Sequence, residues 1–103
     1  MKDITPLSGK QKRHLRGLAH SLSPVVQIGK QGLNDAIAAQ VDAALLAHEL
    51  IKVKVLQEAP CKLEQAVEFL QQKTGAREAQ KIGRTLVLFR AHPEKPKVEL
   101  PRA

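Results

Sequence analysis

The sequence predicts an α/β domain with the element order helix, strand, helix, strand, helix, strand, strand. Three observations carry that prediction. Apolar residues recur at helical spacing in residues 8–22, 34–48 and 60–75. Residues 50–56 alternate as a strand does, with Ile51, Val53 and Val55 on one face and Lys52 and Lys54 on the other. Residues 85–90 are apolar on both faces, as expected of a strand inside a sheet.

The first helix opens at Ser8, with Gln11 three residues on to complete a capping box. Leu15, Leu18, Ala19 and Leu22 fall on one face, while Lys10, Lys12, Arg13, His14 and Arg16 take the rest. No acid interrupts that basic cluster. A solvated face usually mixes charge signs, so the cluster points to phosphate contact, although a basic amphipathic helix also suits a membrane surface or a partner's groove. The absence of Trp and Phe from its apolar stripe weakens the membrane version. Pro24 then ends the turn through His20 and Ser23, because a residue before proline avoids the helical region.

The stretch Val25-Val26-Gln27-Ile28-Gly29-Lys30-Gln31-Gly32-Leu33-Asn34-Asp35 runs from a short strand through a glycine loop into the second helix. Asn34 is a good N-cap and Asp35 complements the helix dipole. Gly29 and Gly32 allow another molecule's backbone to come close, and Lys30 and Gln31 form the tip. Helix-start N–H groups and a lysine aimed the same way suit phosphate. An ordinary strand-to-helix turn needs such glycines too, so the loop alone leaves both readings open. The second helix carries Ile37, Val41, Ala44, Leu45 and His48 at helical spacing. The third begins at or near Pro60, repeats Leu63, Ala66, Val67 and Leu70, and closes at Gly75. Residues 77–82 make a weaker polar strand, joined to the last strand by a tight hairpin with Gly83 in its first central position. Residues 1–7 read as a short lead-in, 8–91 as the domain, and 92–103, where Pro93, Pro96 and Pro101 alternate with charges, as a loose tail.

A chain of 103 residues supports one domain with a single modest core. Its net charge of +7, from 17 Lys and Arg against 10 Asp and Glu, points to a polyanionic partner. With no Trp or Tyr and only two Phe, recognition by bases stacked on aromatic strands is disfavoured, so contact would run through phosphates, sugars and shape. The single cysteine, Cys61, excludes an internal disulfide and a thiolate-rich zinc site. No signal-peptide core or membrane-length apolar run is present, and a cytoplasmic monomer is expected.

Catalytic patterns are missing. There are no paired carboxylates, no nucleophile elbow and no long phosphate-binding signature. His14, His20, His48 and His92 are too scattered to propose as metal ligands. Cys61 would have a lowered pKa if exposed near a helix start, but a packing role is commoner. The expectation is a non-enzymatic binding protein without cofactor or metal.

Four stretches, in order, resemble the bacterial stand-alone, YhbY-like form of the CRM domain (chloroplast RNA splicing and ribosome maturation). They are Leu7-Ser8-Gly9-Lys10-Gln11-Lys12-Arg13-His14-Leu15-Arg16-Gly17-Leu18-Ala19, Val26-Gln27-Ile28-Gly29-Lys30-Gln31-Gly32-Leu33, Glu49-Leu50-Ile51-Lys52-Val53-Lys54-Val55 and Ile82-Gly83-Arg84-Thr85-Leu86-Val87-Leu88-Phe89-Arg90. The resemblance implies a four-stranded mixed sheet with helices packed on it, similar to the C-terminal domain of translation initiation factor three. It also implies RNA binding on large-ribosomal-subunit precursors, with Gly29, Lys30, Gln31 and Gly32 as a GxxG loop comparable to that of KH domains. Asn34 stands where the family often has Thr or Ser, and Phe89 where many members have Tyr. The expected RNA-binding residues are Gly29, Lys30, Gln31, Gly32, Lys10, Lys12, Arg13, His14 and Arg16, with Lys52, Lys54, Arg84 and Arg90 of unknown direction. The partner would be ribosomal RNA or its precursors, with ribosomal proteins as further partners. An adaptor that binds protein through the first helix, and a duplex-DNA binder, are the alternatives. The second suffers from a loop too short to read a major groove.

Overall fold

Ser8 sets the start of α1 (Gly9–Ala19): its Oγ accepts from the Gln11 N–H at 3.1 Å, and Gln11 Oε1 accepts from the Ser8 N–H at 3.0 Å. In this computed structural model, which describes residues 6–102, the capping box therefore forms as the spacing predicts. The first five residues of the expected lead-in, and Ala103, lie outside the described residues. Asn34 starts α2 (Asp35–His48), its Oδ1 accepting from the Ile37 N–H at 2.9 Å. The third helix, α3 (Leu63–Thr74), begins later than Pro60; Gln65 Oε1 accepts from the Lys62 N–H at 2.7 Å, and Gly75 ends the helix at φ 76°.

The strands β1 (Pro24–Ile28), β2 (Leu50–Val55), β3 (Arg77–Ile82) and β4 (Thr85–Phe89) form one sheet in the order β1-β2-β4-β3. β1 runs parallel to β2, and β4 is antiparallel to both its neighbours, so the sheet is mixed, as the resemblance implies. β4 lies inside the sheet, which accounts for its two apolar faces.

Helices cover both faces. Val26, Ile28, Ile51, Val53, Val55, Leu86 and Leu88 meet Val41, Leu45, Val67 and Leu70 of α2 and α3. The alternate residues Leu50, Val87 and Phe89, with Ala79, meet Leu15 and Ala19 of α1 on the opposite face. Leu7, assigned to the lead-in, is buried in this second core. The apolar stripe of α1 is only half used: Leu15 and Ala19 are buried, whereas Leu18 is 45% exposed and Leu22 36%. One helix cannot span the whole sheet face, and Leu22 falls beyond its end.

Residues 92–101, expected to form a loose tail, make contacts back to the domain. Glu49 is buried at φ 64°, where α2 turns into β2, and its carboxylate collects three backbone N–H groups. Oε2 accepts from His92 at 2.8 Å, and Oε1 accepts from Lys97 at 2.8 Å and Val98 at 3.0 Å. Val98 and Leu100 pack on the α1-side core, and Gln11 Nε2 donates to the Pro101 carbonyl at 2.9 Å. Composition marks these residues as mobile because their anchor lies more than 40 positions away.

Candidate nucleic-acid interface

The parallel pairing of β1 with β2, and the antiparallel pairing of β2 with β4, bring three loops to one end of the sheet. These are the β1–α2 loop, the β2–α3 loop and the β3–β4 hairpin. In the first, the Gly32 N–H donates to the Gly29 carbonyl at 2.9 Å, closing a tight turn that leaves Lys30 and Gln31 exposed at the tip. The two glycines do different work. Gly32 sits at φ 69°, buried, and a Cβ there would stand 2.9 Å from Pro60 Cγ. The close approach expected at Gly32 is thus made by the protein's own β2–α3 loop. At Gly29 an added Cβ would meet only Leu56 Cδ1, at an ordinary 3.8 Å. Gly32→Ala should therefore lower the unfolding free energy by roughly 2 kcal/mol, from left-handed backbone strain plus the Pro60 contact. Gly29→Ala should stay within about 0.5 kcal/mol of the parent. Urea denaturation of the two variants separates these cases.

Register places the sheet lysines. Gln27, Lys54, Thr85 and Ile82 pair successively across all four strands and share the α1 face, at the loop end where α1 does not reach. Gln27, Lys54 and Ile82 are exposed. One step further in, Lys52, Val87 and Gln80 form the next row; Val87 is buried, and Lys52 Nζ donates to the Leu22 carbonyl at 2.9 Å. Between this row and α1 lies a groove of about 440 Å³ lined by Arg16, Gly17, Ala19, His20, Lys52, Gln80 and Ile82, with no carboxylate among them. A second groove along β3 gathers Gly9, Lys12, Arg13 and Arg16 with Glu78, Gln80 and Lys81, and Lys81 pairs with Glu78 at 4.0 Å. Lys10 and His14 are exposed on α1 but line neither groove.

Both remaining arginine candidates make structural bonds, Arg84 exposed on the hairpin at the loop end and Arg90 at the opposite end. Arg84 ties the hairpin to the end of β2, Nε donating to the Val55 carbonyl at 3.1 Å and Nη2 to the Leu56 carbonyl at 3.2 Å. Arg90 follows Phe89, which pairs with Leu50 at the start of β2, so it lies at the sheet end opposite the glycine loop. Its Nη1 donates to Asp42 Oδ1 at 2.6 Å and to the Thr74 carbonyl at 2.7 Å. That guanidinium fastens α2 and α3 to the sheet and is not on the lysine-bearing surface.

Gln27, His20, Gln80 and Ile82 were not singled out from the sequence. For Gln80 and Ile82 the only available signal is the period of two in a weak polar strand, which says nothing about which face α1 leaves open. Neither phenylalanine offers a stacking platform: Phe89 is buried, and Phe69 lies beneath Lys73 Nζ at 5.8 Å. Burial pushes the Cys61 thiol above its usual range, with the Arg84 charge opposing only in part, so a reactive thiolate is not favoured there. Among the described residues no group of three or more His, Cys, Asp and Glu could hold a metal ion, and no helix is long and apolar enough to cross a membrane.

Comparison with known proteins agrees with this architecture. The CRS1 / YhbY (CRM) domain model matches residues 7–90. The chain is 44% identical over 95 residues to the Probable RNA-binding protein YqeI of Bacillus subtilis, covering 92% of this chain and 99% of that one. It is 43% identical over 99 residues to an RNA-binding protein of Haemophilus influenzae, covering 96% and 99%. The solution structure of the hypothetical protein SAV1595 from Staphylococcus aureus superposes with a TM-score of 0.77 at 43% identity, covering 92% and 99%. A match across the whole of α1 to β4, in sequence and in fold, places this chain in the CRS1/YhbY (CRM) domain family.

Proposed function

We propose that this protein binds RNA, without catalysing a reaction on it, and acts on ribosomal RNA or its precursors during large-subunit assembly. The observation that carries the reading is a cationic groove without an acid. Arg16 on α1 and Lys52 on the sheet line it, Lys54 lies exposed one row nearer the loop end, and Lys30 is exposed at the loop tip at that end. Lys12 and Arg13 extend it along β3. Such a surface neutralises phosphates and follows shape, and the relatives named as RNA-binding proteins support RNA as the polyanion.

The test is a titration of a fluorescein-labelled ribosomal RNA fragment at several salt concentrations. Affinity should fall by roughly 0.7 log units per log of salt for each single-strand phosphate neutralised. Lys30→Glu/Gln31→Glu should bind more weakly and show a shallower slope, with thermal stability unchanged because both side chains are exposed. Equal affinity in that variant would refute the loop's part.

A second reading, an adaptor that docks a ribosomal protein, is favoured by one observation. Leu18, Leu22 and Val25, all exposed, line a common groove with Leu50, Ile51 and Val98. Binding there would be nearly indifferent to salt, which separates the two readings in one experiment.

A further inference from the structure

Gly17 has no explanation within the fold. It lies inside α1, where glycine is less favourable than alanine. Its φ is not in the left-handed range, and a Cβ built on it would meet nothing within 4 Å. Neither a turn nor a packed neighbour therefore requires the missing side chain. Yet Gly17 lines the groove between α1 and the sheet, flanked by Arg16 and His20 and faced by Lys52, Gln80 and Ile82. Ile82 is also out of place, an aliphatic side chain left 52% exposed on a polar edge strand.

We infer that this groove is a nucleotide subsite: one ribose-phosphate unit of the RNA lies against the bare backbone of α1 at Gly17, with its phosphate between Arg16 and Lys52 and its sugar over Ile82. The inference rests on the RNA-binding reading and assigns it a second point of contact, distinct from the Lys30 loop. Three lining residues supply its polar contacts. Arg16 presents a planar fork from the helix side. Lys52, although one N–H is held by the Leu22 carbonyl, keeps two further donors on the sheet side. Gln80 offers an amide that both donates and accepts, which matches a ribose hydroxyl. No Phe, Tyr or Trp lines the groove and His20 is its one aromatic ring, so the subsite holds mainly backbone and tolerates any sequence. A volume of about 440 Å³ lies within the range of small-molecule sites, about 300–1,000 Å³.

Stability and binding should then move in opposite directions. Gly17→Ala and Gly17→Gln both replace a helix-interior glycine with a good helix former, and melting temperature should rise by roughly 4–8 °C. Affinity for a fluorescein-labelled hairpin RNA with a mixed-sequence loop should fall, by about threefold for alanine and about tenfold or more for glutamine, which fills the groove. Lys30→Glu/Gln31→Glu is titrated alongside. If that loop variant loses binding while Gly17→Gln retains parental affinity, the subsite is overturned and the RNA-binding reading stands. Parental protein that shows no salt-dependent binding to the hairpin overturns both. A lower melting temperature in Gly17→Ala would also overturn the subsite, since the fold itself would then need the glycine.

Discussion

A Glu49→Ala variant is expected to unfold about 3 kcal/mol more easily than the parent and to free residues 92–102 from the α1 side of the sheet. The carboxylate holds three backbone N–H groups within 2.8–3.0 Å, each a charge-assisted bond, and with the Gln11–Pro101 bond they fix the segment on the domain. With the clamp lost, Val98 and Leu100 lose their fixed place on the core formed by Leu7, Leu15 and Phe89. Glu49 also sits at φ 64°, an unfavourable backbone for a residue with a side chain. Glu49→Gly should therefore be less harmful than Glu49→Ala by about 1 kcal/mol, since it removes the same clamp but relieves the strain. Denaturation curves measure both, and amide exchange at His92, Lys97 and Val98 reports the segment directly. Exchange unchanged in the alanine variant would show that the clamp holds nothing.

The same carboxylate sets an acid limit. Burial alone would raise its pKa, but the N–H groups of His92, Lys97 and Val98, with the nearby His92 charge, outweigh burial and hold it below the ordinary 4.5. A carboxylate with a depressed folded pKa stabilises the fold fully above its unfolded value. That contribution is lost as pH falls through the folded one. The segment should stay docked down to the pH of ordinary carboxylate titration and loosen only in stronger acid. In the Glu49→Gln variant this acid-dependent step should be missing.

Reversing Lys30 and Lys54 together, as Lys30→Glu/Lys54→Glu, is expected to weaken RNA binding by on the order of 100-fold at low salt. Both side chains are exposed, one on the loop tip and one on the open row of the sheet, so the pair removes two phosphate contacts and adds repulsion at two points. The salt slope should become shallower by about 1.4, from two single-strand contacts. Arg90→Gln is the contrasting variant. It breaks the 2.6 Å contact with Asp42 and the bond to the Thr74 carbonyl, at the other end of the sheet. It should lower stability by about 1–2 kcal/mol and leave RNA affinity of the folded protein unchanged. Filter binding at several salt concentrations, beside thermal melts, distinguishes a surface cation from a structural one. Equal loss of affinity in both variants would contradict the placement described here.

Ser8 with Gln11, Asn34 before Asp35, and Gly75 after Lys73 were readable because a helix end is satisfied by groups three or four positions away. The lysines of β2 and the two-sided apolar character of β4 were readable for a similar reason, since strand periodicity is carried by immediate neighbours. Those local rules were enough for the element order and the exposed tip at Lys30 and Gln31, while the family came from the resemblance of four ordered stretches. They were silent on contacts between distant segments. Nothing near Gly32 announces Pro60, nothing near Glu49 announces His92 and Val98, and nothing in the spacing of Arg84 and Arg90 shows that backbone carbonyls and Asp42 engage them. Which half of the sheet α1 leaves open depends on where one short helix comes to rest, and packing across the whole chain sets that position. Pattern along the chain thus determined what the elements are and that its excess of Lys and Arg suits it to meet a polyanion. The three-dimensional packing determined which cations are free to do so, because a charge is available to a partner only where the fold has not already matched it.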